Sequence, residues 1–224
     1  MFAVIFEVRP GPGQLESYFD EAEALRPELL QVEGFIDNIR YRSLTREGWI
    51  LSLSSWRDEK ALVRWRTVTR HHEVQEFGRS RIFADYRMRV GEVTNDSRVP
   101  GGYELVEQRF DETRSGGGTA LTLIDARRPA AFSETSNPAD CSQFLGLDPY
   151  ADGLIDWDVF EAVRTPGDLI LLQSWQTGAA AENFELTTEL PADGRLRRVR
   201  VIRDYAMFDR REAPQYFPDV AGTG

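Results

Sequence analysis

Residues 34–56 read GFIDNIRYRSLTREGWILSLSSW, and residues 153–175 read GLIDWDVFEAVRTPGDLILLQSW. Gly34, Ile36, Asp37, Gly48, Ser55 and Trp56 recur as Gly153, Ile155, Asp156, Gly167, Ser174 and Trp175, a constant displacement of 119 residues. In each stretch two apolar, β-branched runs flank a short turn that holds a glycine, which predicts an antiparallel hairpin. The same displacement carries Arg9-Pro10 onto Arg128-Pro129, Arg79 onto Arg198, and Asp85-Tyr86 onto Asp204-Tyr205. A single displacement held over most of a chain reads as an internal duplication. Near the end of each copy the apolar alternation also fits a shift of 109, with Val90 on Val199 and Val93 on Ile202, so the last strand has two candidate registers.

Working outward from the first hairpin gives the rest of one copy. Phe2 to Val8 reads as a strand. Pro12 to Arg26 places Leu15, Tyr18, Phe19, Ala22 and Leu25 on one helical face, and Pro27 ends or restarts that helix because it lacks an N–H donor. After the hairpin, Asp58 caps a second helix predicted to run to Phe77, with Gly78 behind it. Ile82 to Val93 is the fourth strand. The order βαββαβ is the ferredoxin-like unit, whose antiparallel sheet carries both helices on one face. The other face is apolar and must be covered. Two copies would cover each other, which predicts an α+β protein whose two sheets pack face to face. The expected organisation is copy one at 1–95, a linker at 96–118, a degenerate copy two at 119–214, and a tail at 215–224. In copy two the first helix is expected around 139–147 and a shortened second helix at 178–186. Within the linker, Tyr103 to Phe110 alternates like an extra strand.

Composition narrows the function. The chain of 224 residues is 41% hydrophobic and 29% charged, with 27 basic against 37 acidic side chains and a net charge of −10. Nucleic acids and anionic membranes need a cationic footprint, so neither is expected as a partner. The basic run Arg195, Arg197, Arg198 and Arg200 reads as one strand face plus a turn. One cysteine, Cys141, rules out an internal disulfide framework, and with two histidines it is too few for a structural zinc site, so no metal is expected. The first residues lack a cationic, then long apolar, leader, and no stretch reaches the roughly 20 apolar residues of a membrane span. A cytoplasmic location is the expectation.

The run Ser55-Trp56-Arg57-Asp58-Glu59-Lys60-Ala61, then Trp65-Arg66, His72, Gln75, Gly78-Arg79 and Phe83-Ala84-Asp85-Tyr86, resembles the antibiotic biosynthesis monooxygenase family of the dimeric α/β-barrel superfamily. The segment Arg203 to Met207 with Arg211 to Pro214 is similar to the one that closes such domains. The resemblance spans residues 1–93 and, more weakly, 119–214. It implies a tandem-duplicated barrel, an intramolecular pseudo-dimer that can dimerise further, and a small-molecule substrate. Members include cofactor-independent oxygenases of polycyclic phenols and haem-degrading oxygenases. The haem-degrading pattern joins an Asn on the first strand to a Trp and a His on the second helix. Here Trp65 and His72 stand on the helix, and Glu7 lies near the Asn position.

Leu62, Trp65, Val68, Thr69 and His72 fall on one face of the predicted second helix, turned toward the sheet, while His71 sits about 100° away. A Trp offers an aromatic wall and a His moves a proton near neutral pH. Trp65 and His72 correspond to Phe184 and Pro191 in copy two, so an active pocket is expected in copy one. Catalytic candidates are His72, Trp65 and Asn38. Substrate-binding candidates are Arg40, Tyr86, Val68 and Trp157. Three readings stay open: a monooxygenase of a small aromatic or polyketide-like substrate without a cofactor, a haem-binding or haem-degrading protein using His72, and a ligand-binding protein with no chemistry. No glycine-rich nucleotide loop and no nucleophile elbow occur.

Overall fold

Both quoted stretches are hairpins in the computed structural model, which describes residues 1–130, 132 and 137–220. Copy one runs β1 (Phe2–Pro10), α1 (Leu15–Leu29), β2 (Phe35–Ser43), β3 (Ile50–Trp56), α2 (Glu59–Arg66), α3 (Thr69–Phe77), a π-helical turn (Gly78–Ile82) and β4 (Phe83–Asp96). Copy two runs β5 (Ala120–Arg127), α4 (Pro138–Phe144), β6 (Leu154–Ala162), β7 (Asp168–Trp175), α5 (Gly178–Thr187) and β8 (Arg195–Ala206). Pro27 does not end α1 outright but lies inside its last turn. The repeated turn glycines Gly48 and Gly167 sit at φ +77 and +94, where a side chain would be strained. Each hairpin carries a bulge at the same place, between Phe35 and Asp37 and between Leu154 and Asp156. The repeated Ile36 and Ile155 are thus the extra residues of two matching bulges.

The eight strands close into one barrel in the order β1-β3-β2-β6-β7-β5-β8-β4. Each copy supplies four adjacent strands in ferredoxin-like order, and the edges of the two sheets join. One seam is long: β4 pairs with β8 from Arg87↔Ala206 to Asp96↔Arg197. The other is short: only Tyr41, Arg42 and Ser43 of β2 pair with β6. Ala3, Ile5, Leu51 and Leu53 of copy one meet Leu123, Phe160, Ile170, Leu172 and Val201 of copy two inside. Each large side chain so enclosed contributes about 1.5–3 kcal/mol, which is why the bare faces predicted from sequence end up against each other.

One end of the barrel interior is ionic. Glu7 pairs with Arg89, and Arg46 bridges Glu7 at 2.5 Å and Asp158 of copy two at 2.7 Å. Arg89 also donates to Ser174 Oγ at 2.6 Å. Burial opposes the Glu7 charge, but the guanidiniums of Arg89 and Arg46 more than offset it and hold the carboxyl below its usual range.

By strand register the displacement is 118 in the first strands, from Phe2 to Ala120, and 119 through the hairpins and the second helix. Asp58 caps α2 by accepting from Ala61 N, and Thr177 caps α5 by accepting from Ala180 N. It then fails. Phe2 of β1 faces Glu92, while Ala120 of β5 faces Arg200; both Phe2 and Ala120 stand opposite the repeated tryptophans. The last strand is therefore displaced by 108, from Glu92 to Arg200, beside the alternative of 109. Copy two lacks the eleven residues (119 − 108) that copy one devotes to the region of α3 and the π-helical turn. Arg79 and Arg198, and Asp85-Tyr86 and Asp204-Tyr205, are consequently not structural equivalents. A second correction concerns Tyr103 to Phe110, which forms no strand. The buried Glu92 carboxylate holds it instead, accepting from Gln108 N at 2.6 Å and Arg109 N at 3.1 Å, while Tyr103 and Leu105 pack on the barrel core. Among the described residues no helix is long and apolar enough to cross a membrane.

Candidate functional site

The outer face of the copy-one sheet forms the floor of a cavity of about 210 Å³. Strand register lays this floor out in rows. One row runs Asn38, Ser54, Val4, Val90, Arg203, and the next runs Arg40, Ser52, Phe6, Met88, Tyr205. The floor is thus polar over β2 and β3, apolar over β1 and β4, and cationic and phenolic over β8. Asn38 Nδ2 donates to Ser52 Oγ at 2.9 Å and to Leu53 O at 3.1 Å, which fixes its amide. Trp56 Nε1 donates to Ser54 Oγ at 2.9 Å. Arg40 and Ser52 hydrogen-bond the buried Tyr18 phenol, whose pKa burial pushes up.

Helices form the roof, and here the sequence reading is corrected. The single helix predicted from Asp58 to Phe77 is broken. Thr67 Oγ1 donates back to Val63 O and Arg64 O at 3.0 and 3.1 Å, and Val68 is extended at φ −63, ψ 124. Such back-bonding by a hydroxyl competes with helix continuation. The break resets the helical phase by more than one residue's turn, so His71 rather than His72 reaches Trp65. Their rings stack at 4.2 Å between centroids and 18° between planes. His71 Nδ1 lies 3.0 Å from Trp65 O. A carbonyl only accepts, so Nδ1 carries the hydrogen and Nε2 the lone pair. Burial lowers the His71 pKa to about 4 and keeps the ring neutral near pH 7. His72 turns away and stacks on Phe217 at 4.8 Å, where Gln215 Nε2 donates to its Nδ1 at 3.4 Å.

The β8 end of the cavity gathers Arg66, Arg79, Arg203 and Arg210 around two tyrosines. Arg79, only 5% exposed, and Arg210 both donate to the Tyr86 phenol oxygen, at 2.5 and 2.6 Å. Arg210 also donates to Gln215 O at 2.8 Å, and Arg203 to Glu212 O at 3.4 Å. Among the described residues none of these four guanidiniums has a carboxylate partner, whereas Arg57, Arg87, Arg89 and Arg195 each have one. The Nε atoms of Arg66 and Arg79 are buried with no hydrogen-bond partner. The lining carries two carboxylates: Glu59 is already paired with Arg109 at 2.6 Å, and Glu21, on α1, forms no ion pair with any of the four. Burial pushes the Tyr205 phenol up to about 12.

Of the residues singled out from sequence, the structure brings Trp65, Asn38, Arg40 and Tyr86 together on the lining. His72 is off it for the reason just given. Val68 is the extended residue of the helix break and packs into the core beside Trp65. Trp157, on β6, packs into the copy-two core, on the far side of the barrel from the cavity. His71, Arg203 and Arg210 were not foreseen as site residues. The two arginines come from β8 and the segment after it, so no local pattern in copy one announces them. Copy two has a filled core where copy one is hollow: Phe184, in the place of Trp65, lies against Trp175 at 4.9 Å, with Ile124, Leu145 and Leu171 around them.

Residues 1–76 match the antibiotic biosynthesis monooxygenase family, and a relative that aligns over nearly the whole chain is 47% identical. The chain belongs to the antibiotic biosynthesis monooxygenase family. That relative is the jasmonate monooxygenase ABM of Pyricularia oryzae, aligned over 228 residues that cover 99% of this chain and 100% of the relative. Solved structures are similar at lower levels. A protein of Lactobacillus acidophilus provisionally assigned as a monooxygenase is 9% identical with a TM-score of 0.40, covering 91% of this chain and 94% of its own. An anthrone oxidase-like protein is 13% identical with a TM-score of 0.36, covering 96% of each chain.

Proposed function

We propose that this protein is a monooxygenase that oxidises a small, mainly apolar organic molecule in the copy-one cavity. The observation that carries the reading is the contrast between the halves: copy one encloses an apolar hollow walled by Trp56, Trp65 and Phe6, whereas copy two packs Phe184 onto Trp175 over its sheet and leaves a more open, more polar groove between α4 and α5. The family match falls on the hollow half, and the full-length relative is named a monooxygenase. The cavity sits between sheet and helices, where apolar walls exclude water from a reactive intermediate.

The reaction needs no external reductant if the substrate carries a methylene made acidic by a neighbouring carbonyl or aromatic ring. A base removes one proton, the resulting carbanion passes its electrons to O₂, and one oxygen enters the substrate. Loss of water then leaves a carbonyl where the CH₂ stood, with the second oxygen in the water. His71 Nε2 is the candidate base, in place of His72, with the Arg40 guanidinium as the candidate donor to a developing enolate oxygen.

Oxygen uptake by the purified protein without added cofactor tests this. Jasmonate, the substrate named for the relative, and an anthrone, which represents the aromatic class, are the substrates to use. Uptake should be accompanied by one atom of ¹⁸O in the product and should fall at least about tenfold in Trp65→Ala. No uptake with either substrate refutes the reading, and a Soret band in the protein as purified replaces it with the haem alternative.

A further inference from the structure

We propose that the β8 end of the cavity is a carboxylate subsite, in which Arg66, Arg79, Arg203 and Arg210 hold the acid group of the substrate and fix its apolar body over Met88 and Phe6. This rests on the cavity being the substrate site and adds the class of substrate, an organic acid. Charge balance is the first argument. Elsewhere this acidic chain pairs its buried arginines with carboxylates, as Arg89 with Glu7 and Arg195 with Asp96. Here, among the described residues, four guanidiniums share one end of a cavity with no acidic partner. Arg79 is buried and the other three are half-buried, and a bound anion would supply the counter-charge that the chain does not. The planar fork of an arginine matches a carboxylate in shape as well as charge.

The floor supplies the second argument, because it gives the ligand a direction. From β8 toward β2 the rows pass from Arg203 and Tyr205 to Val90 and Met88, then Val4 and Phe6, then the serines and Asn38. Strands lie about 4.8 Å apart. An acid group at β8 therefore sets roughly the next two strands' width of ligand on apolar side chains and aims the remote end of the molecule at the hydrogen-bonding groups of β2 and β3. The carboxylate is the handle, and the reacting carbon is distant from it. The four arginines come from α2, the π-helical turn, β8 and the segment after β8, so the subsite exists only when both copies are folded together.

Binding of jasmonate and of methyl jasmonate to the full chain, by tryptophan fluorescence and calorimetry, decides the matter. The two probes differ in the charge alone among the features that the subsite reads. The acid should bind at least about 30-fold more tightly than the ester, and Arg203→Met and Arg66→Gln should each remove about tenfold or more of acid affinity while changing ester affinity less than about twofold. The two variants alter different elements, so one that misfolds leaves the other. Equal affinity for acid and ester, tighter binding of the ester, or no binding of either overturns the subsite. Acid-selective binding without oxygen uptake removes the monooxygenase reading and leaves the subsite standing. Turnover of the ester as fast as the acid removes the subsite and leaves the monooxygenase reading.

Discussion

Acidification should expose how deeply His71 is committed to its neutral form. Burial sets its folded pKa at about 4 against the ordinary 6.5, a gap of about 2.5 units at ~1.36 kcal/mol each. Because the folded value is the lower one, the unfolded chain takes the proton first as pH falls. The contribution of His71 is thus whole above about pH 6.5 and drains away between 6.5 and 4, amounting to about 2.5 kcal/mol by pH 4.5. The chain has only two histidines, so the ring C2–H proton spectrum holds two signals and His71→Gln assigns them by elimination. The His71 signal should keep its neutral shift down to about pH 5. In urea unfolding between pH 7.5 and 4.5, the wild type should lose about 2–3 kcal/mol more stability than His71→Gln, a comparison that cancels the carboxylates common to both. A His71 midpoint at pH 6 or above, or parallel loss of stability in the two proteins, would refute the stacking of this ring on Trp65 in a dry pocket.

Other consequences are simpler. Glu7→Gln should cost about 3–5 kcal/mol in urea unfolding, since it strands Arg89 inside the barrel, and Glu7→Leu with Arg89→Met should recover most of that; a single-variant loss below ~1 kcal/mol would contradict the buried pair. Gly91→Ala should cost about 1–3 kcal/mol or more by thermal unfolding, because a Cβ there would lie 2.3 Å from Arg200 O and 2.5 Å from Val199 Cγ1. Unchanged stability would mean that the β4–β8 seam shifts freely. Cys141 is fully buried and its thiol pKa is raised by burial, so the native protein should react with a disulfide reagent at least about a hundredfold more slowly than the unfolded chain; equal rates would place the residue at the surface.

Much of the fold can be read from residues that act locally. The paired hairpins follow from Gly48, Gly167 and the tryptophans, and the cap on α2 follows from Asp58. Covering one apolar sheet face with another follows from the βαββαβ order alone. What escaped the sequence depends on single groups or on distant ones. One hydroxyl, that of Thr67, breaks a helix that periodicity treats as continuous, and this exchanged His71 for His72. An Asp-Tyr pair at Asp85-Tyr86 and again at Asp204-Tyr205 hid a gap of eleven residues, because the coincidence preserved the displacement while the strand register did not. The extended run Tyr103 to Phe110 has the alternation of a strand, but the acceptors of its amides are the carboxylate of Glu92, which no pattern in the run itself could announce. The arginines of β8 and the segment after it belong by sequence to copy two and by position to the cavity of copy one.

That last arrangement bears on what duplication has done to this chain. In a pair of identical subunits, each would lend its final strand to the other and both hollows would be finished alike. Fusion into one chain removes that obligation: the second half keeps its closing strand as a donated wall and fills its own interior with Trp175 and Phe184. A fragment that stops at residue 95 would hold most of the roof and floor, yet it would lack Arg203, Tyr205 and Arg210. Ligand should accordingly saturate at one equivalent per chain, and the halves, when produced apart, should regain that binding only when mixed.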